Sequence, residues 1–326
     1  MILVTGGAGF IGSNLVAALA ERQPGRVVVC DTLGRDERWR NLAKHEIAGV
    51  VPPNDLLPWL NRNPRPRAIV HLGAISSTTE TDVDLIYRSN VQPSMDLWSW
   101  CARHEVRLIY ASSAATYGDG SQGFDDDGSI EGLARLRPLN AYGWSKHLFD
   151  RRVARWNRDG ERRPAQCVGL KFFNVYGPNE YHKGEMQSVV AKRYADAAAG
   201  REVVLFKSDR PDVPDGGQSR DFVYVRDAVD VMLWLLDNPQ VNGLFNVGSG
   251  QARSFQDLML ALFAAVGRNA NIRYVDMPAN LKGKYQYFTE APLARLRAAG
   301  YAKPMTGLED GVGDYVRRYL AADPYR

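Results

Sequence analysis

Short apolar runs alternate with longer amphipathic stretches through the first half of the chain. Met1–Thr5, Val27–Asp31, Ala68–Leu72, Leu108–Ser112 and Gln166–Phe172 predict buried strands. Leu15–Glu21, Val83–Arg103 and Ala141–Trp156 carry helical spacing. Strands separated by helices are joined in parallel, because a parallel connection needs a crossover of that length. The expected architecture is α/β, a doubly wound parallel sheet with helices on both faces.

After about residue 174 the pattern changes. Glycine and proline punctuate it more often, and the predicted strands shorten to Val203–Phe206, Leu244–Val247 and Ile272–Val275. Val225–Leu236 and Ser254–Val266 predict helices. Residues 1–173 are therefore expected to form the main α/β domain. Residues 174–326 are expected to form mainly a smaller substrate-binding lobe, with some segments returning to the first domain. The polar, Gly-rich stretch Asp119–Arg137 reads as a surface loop, and its run Asp125-Asp126-Asp127 as solvated.

Composition narrows the function classes. The chain has 326 residues, 45% hydrophobic and 24% charged, as in a folded globular protein. Its longest wholly apolar run, Leu258–Val266, has nine residues, well short of the about 20 a membrane span needs. No membrane partner is expected, and with no basic leader after Met1 the expected location is cytoplasmic. The net charge of +4 is mild and spread along the chain. It suits anionic small molecules, and no basic run interleaved with aromatics points to nucleic acid. Cys30, Cys101 and Cys167 are odd in number and far apart, as buried thiols in a reducing compartment are. The five histidines lack ligand spacing, so no metal is expected.

Two motifs carry chemistry. Gly6, Gly9 and Gly12 sit between the first predicted strand and helix. Glycines there permit a tight turn and close backbone approach to a pyrophosphate, with the amides of Phe10 and Ile11 at a helix N-terminus. Asp31 ends the second strand and is placed to bind ribose hydroxyls. The combination predicts a dinucleotide site on a Rossmann-type α/β fold. Asp31 favours NAD, while Arg35 and Arg38 offer guanidinium groups to a 2′-phosphate, so the residues alone leave NAD and NADP level.

The second motif is Tyr142-Gly143-Trp144-Ser145-Lys146, which puts Tyr142 and Lys146 on one helix face. A tyrosine acting as a base near neutrality needs its pKa lowered by about three units, roughly 4 kcal/mol. A close ammonium and an oxidised nicotinamide are cations of the right kind. Ser113, at the end of a strand, is placed to hydrogen-bond the substrate oxygen.

These residues resemble the extended short-chain dehydrogenase/reductase superfamily in its nucleotide-sugar branch, from Met1 to about Tyr319. Within it the chain is most similar to the ADP-L-glycero-D-manno-heptose 6-epimerase family. The likeness is carried by His71–Thr79, Tyr110–Gly118, Phe172–Pro178, His182-Lys183-Gly184, Arg220–Val225 and Lys282–Gln286. The resemblance implies an isomerase that inverts C6 of the heptose in ADP-D-glycero-D-manno-heptose through a 6-keto intermediate. It also implies a tightly bound NADP, a homo-oligomer, and a product used for lipopolysaccharide. Ser113, Tyr142 and Lys146 match the catalytic set, and Lys183 a second base that also lies against the cofactor. Gly6, Gly9, Phe10, Ile11, Gly12, Asp31, Thr32, Arg38, Leu72, Gly73, Ala74, Ile75, Ser76, Asn90 and Val175 fall at cofactor positions. Asn174, Glu185, Lys192, Phe206, Lys207, Ser208, Arg220 and Tyr285 fall at substrate positions. Glu185 stands where a small polar residue is usual, and Lys192 where a histidine can occur.

The rival readings differ in particular residues. A 4,6-dehydratase needs an acid beside the catalytic hydroxyl, and Ala114-Ala115-Thr116 supplies none. A UDP-hexose 4-epimerase shares the core residues but gives Lys183 no task. A nucleotide-sugar reductase would fit the core as well but would consume its reduced cofactor. A non-catalytic NADP-sensing protein would have no need of the Tyr142/Lys146 pair.

Overall fold

The computed structural model describes residues 1–278 and 286–326. Its main sheet is built from β1 (Ile2–Thr5), β2 (Val27–Cys30), β3 (Gly49–Val51), β4 (Ala68–His71), β5 (Arg107–Ser113) and β6 (Cys167–Phe172). Five more strands follow β7 (Asn174–Tyr176), namely β8 (Val203–Phe206), β9 (Ser219–Tyr224), β10 (Gly243–Val247), β11 (Ala252–Ser254) and β12 (Ile272–Val275). Of these, β10 joins the main sheet, whose order is β10-β6-β5-β4-β1-β2-β3, every neighbour parallel. β2 and β4 are buried along their whole length because helices cover both faces, which is why they read as unbroken apolar runs rather than alternating ones.

One face is packed by the helices Phe10–Arg22 and Val225–Asp237, with Leu15, Val16, Leu19, Val231, Met232 and Leu235 against the sheet. The other is packed by Gln92–His104 and Ala141–Arg158, where Trp98 stacks on Trp156 with ring centroids 4.0 Å apart. The long stretch read as one helix from Val83 passes through a π-helical turn at Tyr87–Val91. Cys30, Cys101 and Cys167 are buried and unbridged.

Two small sheets, β11-β9-β7 and β12-β8, make a second core with the helices Val189–Ala198, Phe255–Ala265 and Leu308–Tyr315. The stretch Asp119–Arg137 is not the surface loop its composition predicts. It contains the helix Ile130–Arg135, and Leu133 and Leu136 are buried beside Phe173 and Leu244. Asp126 is buried as well, accepting the Asn246 amide at 2.7 Å. Polar composition concealed a few apolar anchors there, and one buried carboxylate with a backbone partner.

The order of the strands fixes where a ligand can bind. Chain progression reverses direction between β1 and β4, and the crevice outside their carboxyl ends is where such sheets take ligands. Gly6 leaves β1 and Leu72 leaves β4 at that crevice. Ser113 ends β5 next to it, and Asn174 follows β6.

Candidate active site in the crevice of the sheet

The crevice opens into a cleft of about 1640 Å³ between the main sheet and the second core. At its floor Gly6 adopts φ +67°, and a Cβ there would lie 2.6 Å from the Gly73 nitrogen. The two strand ends thus touch backbone to backbone. The helix Phe10–Arg22 starts from Gly9 with no side chain capping it. Its first-turn amides therefore face the cleft as anion donors. Asp31 sits at the end of β2, one carboxylate oxygen accepting the Ala8 amide at 2.9 Å and the other the Thr32 amide at 2.8 Å. A glycine cradle, an uncapped helix start and a fixed carboxylate fit a dinucleotide.

Burial raises the Asp31 carboxyl, opposed by those two amides and by Arg38. Arg38 lies 3.9 Å from Asp31, is gripped by Asp36 at 2.9 Å, and lines the cleft. The backbone of Leu72–Ser76 forms the neighbouring wall. Asn90 does not line it. Its amide group instead clasps Ile75 from both sides, accepting from its N–H at 2.8 Å and donating to its carbonyl at 3.0 Å. It also donates to Ser145 Oγ at 3.1 Å, tying this wall to the helix Ala141–Arg158. Below, Thr5, His71, Ser94 and the Asn90 carbonyl form one hydrogen-bonded chain. Gly73 N–H donates to Thr5 Oγ1 and Ser94 donates to Asn90, so neutral His71 carries its proton on Nε2. Burial and the charge of Lys146 push its pKa down to about 3.

Tyr142 and Lys146 stand on the first turns of Ala141–Arg158, which Asn140 caps by accepting the Gly143 amide at 2.8 Å. The helix packs close because a Cβ on Gly143 would meet the Ala115 carbonyl at 2.7 Å. That contact sets Tyr142 against Ser113. Ser113 Oγ accepts the Ala115 amide at 3.1 Å, leaving its hydrogen for the Tyr142 oxygen. In the protein alone the Tyr142 phenol is pushed up, not down. Burial raises it, and the Ser113 hydrogen bond only partly opposes this. Lys146 is buried too, which pushes it down to about 8, with Asp150 pulling it back up.

Lys183 reaches the cleft from the turn Tyr181–Met186, its ammonium 5.0 Å from the centre of the Phe10 ring. Burial lowers its pKa, and Glu180 opposes that. Glu180 is fully buried and accepts from Gly177, Ser188 and Tyr315, which fixes the turn from three sides. Asn14 and Asn41 add bonds to the carbonyls of Pro178 and Asn179, bolting the turn to the cofactor helix. The anchors from Tyr315, Asn14 and Asn41 join segments 135 to 164 residues apart and so left no signal in the sequence.

Of the substrate positions, Asn174 and Arg220 line the cleft, as does Val175 of the cofactor set. Arg220 donates to the Ser219 carbonyl at 2.9 Å and sits over the Phe255 ring. Glu185 and Lys192 pair with each other at 2.9 Å and lie off the cleft. Phe206, Lys207 and Ser208 lie beyond its lining, Lys207 paired with Asp276 at 3.1 Å. Thr32 is exposed behind Asp31. Tyr285 lies outside the described residues. Arg210, Phe124 and Phe288 also line the cleft and had no motif to single them out. No group of three or more metal-ligating side chains occurs among the described residues.

The sequence profile of the NAD dependent epimerase/dehydratase family matches residues 2–248. The chain belongs to that family. Within it, a protein of Nitratidesulfovibrio vulgaris named ADP-L-glycero-D-manno-heptose-6-epimerase is 50% identical over 330 residues, covering 100% of both chains. The crystal structure of ADP-L-glycero-D-manno-heptose-6-epimerase from Helicobacter pylori superposes with a TM-score of 0.81 at 30% identity, over 97% of this chain and 95% of that one. The Thermus thermophilus UDP-glucose 4-epimerase, solved with NAD, gives 0.75 at 27% identity, over 97% of each. Membership in the epimerase/dehydratase family and the NAD-bound neighbour agree with the glycine cradle on a nicotinamide dinucleotide.

Proposed function

We propose that this chain is an isomerase that inverts C6 of the heptose in ADP-D-glycero-D-manno-heptose to give ADP-L-glycero-D-manno-heptose. The observation that carries the reading is the pairing of two ionisable side chains in one cleft, Tyr142 with Ser113 and Lys183 over Phe10, in a chain half-identical to a named epimerase. A bound nicotinamide supplies a hydride acceptor, then a hydride donor, and in its oxidised form a positive charge.

Inversion at one carbon proceeds by removing hydride from C6 and the proton from its hydroxyl, which leaves a 6-ketone. Return of hydride to the opposite face of C6, and of the proton to its oxygen, gives the other epimer with no net redox change. Each direction requires a proton acceptor placed for one orientation of the oxygen. Tyr142 and Lys183 enter the cleft from different elements, so one rigid base need not serve both. Ser113 donates to the reacting oxygen or to Tyr142. Lys146 lends positive charge to the phenolate, and Tyr142 itself stands in the first turn of its helix, where the helix dipole favours an anion. Arg220 and Asn174 bind the nucleotide-sugar at the far end of the cleft.

We assign NADP rather than NAD, held by Gly6, Gly9, the Phe10–Gly12 helix start and Asp31, with Arg38 meeting the 2′-phosphate. Arg38 supports this because it lines the cleft beside Asp31. Protein isolated and denatured should release mainly NADP by mass spectrometry. NAD as the main product would place the choice with Asp31. The substrate reading is tested by incubating purified protein with ADP-D-glycero-D-manno-heptose and no added cofactor. The C6 proton signals of the L-epimer should grow in by NMR, and an unchanged spectrum would sink the assignment. The reading also places the protein in the cytoplasm as a homo-oligomer.

A further inference from the structure

Behind the wall formed by Ser113 and Lys146 lies an ion pair that the steps above do not use. Lys171 on β6 and Asp150 on the helix Ala141–Arg158 meet at 2.9 Å with both side chains fully buried. Asp150 also accepts Ser112 Oγ at 2.7 Å and the Tyr110 hydroxyl at 3.2 Å. Lys171 donates to Thr116 Oγ1 at 2.6 Å, with its ammonium 4.9 Å from the Tyr117 ring centre. Each partner therefore reaches a catalytic group through one covalent neighbour or one helical turn. Ser112 adjoins Ser113, Thr116 belongs to the turn that Ser113 caps, and Asp150 follows Lys146 by four residues.

A buried ion pair is a poor stabiliser, since well-packed apolar residues of the same volume are often as good or better. Something other than stability is needed to account for it. The groups packed around Lys146 are Tyr142 and Asp150 on its own helix and His71 from β4. Around Asp150 are Tyr110 and Ser112 from β5, Lys171 and Cys167 from β6, Tyr117 from the turn, and His147 on the helix, with Arg137 and Arg151 beside His147. Burial keeps His71 and His147 neutral, at about 3 and about 4, and Cys167 protonated, at about 12. Tyr110 and Tyr117 are held well above their usual range. Directly behind Lys146, then, stands the ion pair of Asp150 and Lys171, with Arg137 and Arg151 further out beside His147.

We propose that Asp150 and Lys171 are positioning residues that keep Lys146 charged and Ser113 aligned, and so set the pH at which Tyr142 becomes a base. Asp150 holds the charge on Lys146, and Lys171 is the buried counter-ion that fixes Asp150 in place at 2.9 Å. Asp150 stands two helical turns from Tyr142, about 12 Å along the axis, so its influence on the phenol passes through Lys146. The inference rests on Tyr142 acting as the base in the proposed reaction.

The experiment is a phenolate absorbance titration of the cofactor-loaded protein, each variant read against the same variant carrying Tyr142→Phe. The difference isolates Tyr142 and uses no substrate, so it stands apart from the C6 assay. Asp150→Asn removes the charge beside Lys146. Asp150→Asn/Lys171→Met removes the pair together and keeps the test alive if the single variant leaves Lys171 unpaired and unfolds. Of the two charges, Asp150 is the one that acts on Lys146, so both variants shift the titration the same way. The Tyr142 midpoint should rise by about one pH unit in each, and kcat near neutrality should fall about tenfold with KM little changed. A merely structural role would shrink the amplitude at every pH without moving the midpoint. An unmoved or lowered midpoint in the folded variants overturns the proposal.

Discussion

The two proposed bases are held in opposite ways. Tyr142 stands on an 18-residue helix, capped by Asn140 and packed on the end of β5, and its partners Lys146 and Ser113 lie on regular elements. Lys183 stands on a single 3-10 turn, Tyr181–Met186, kinked at Gly184. Its geometry comes from a buried carboxylate, Glu180, that ties the flanks of the turn, Gly177 and Ser188, to Tyr315 on a distant helix. The helix supplies position through repetition, whereas the turn obtains it from scattered contacts. The difference teaches that a base on a loop is only as well placed as the buried groups beneath it.

Four experiments break or sharpen this contrast. Replacing Tyr142 by Phe or Lys183 by Met should each lower kcat by about 10²–10⁴, the range for loss of a positioned acid or base. Each should abolish mainly one half-reaction, read by single-turnover hydride transfer from each C6 epimer in turn. Near-normal rates from both epimers in Lys183→Met would reduce Lys183 to a loop residue.

Glu180→Gln should weaken only the Lys183 half. Glu180 opposes the lowering of Lys183 by burial, so its removal lowers the lysine further. The acid limb of that half-reaction should move to lower pH, with the Tyr142 half unmoved. Unfolding free energy should drop by about 1–3 kcal/mol, since buried donors lose a charged acceptor.

On the Tyr142 side, His71 makes stability depend on pH. Its folded pKa of about 3 lies below the unfolded value of 6.5. Between those values the unfolded chain binds a proton that the folded one refuses. Stability should therefore be intact above pH 6.5 and fall on acidification, by up to about 1.4 kcal/mol per pH unit. Urea unfolding at pH 7 and 5 should show a difference that His71→Asn reduces, the remainder coming from His147, which burial also holds low at about 4.

The smallest effect compares two caps. Asn140→Ala should cost about 1 kcal/mol, as loss of a helix N-cap does. Ser188→Ala should cost more, because Ser188 caps Val189–Ala198 and also donates to Glu180. Equal melting temperatures for the two variants would show that the Glu180 cluster adds nothing to the turn.

Signals confined to a few consecutive residues were legible in the sequence. Apolar runs marked the parallel strands because both faces of the main sheet are covered, and the glycine and Tyr/Lys spacings marked the two halves of the crevice. Where the sequence misled, polar composition was the cause. Asp119–Arg137 read as solvent-facing, yet Asp126, Leu133 and Leu136 are buried within it. The ion pair of Glu185 with Lys192, two residues singled out by resemblance, likewise had no signal in the composition.

By itself, then, the sequence determined the sheet, the dinucleotide cradle and the face shared by Tyr142 and Lys146, because periodicity and backbone permissiveness are local properties. The tertiary structure alone decided which buried charges meet. Lys171 and Asp150 are 21 residues apart, and Glu180 and Tyr315 are 135 apart. No spacing rule links such pairs. They come together because strand order and helix packing place them in a low-dielectric interior, where a charge must find a partner or be neutralised by gaining or losing a proton.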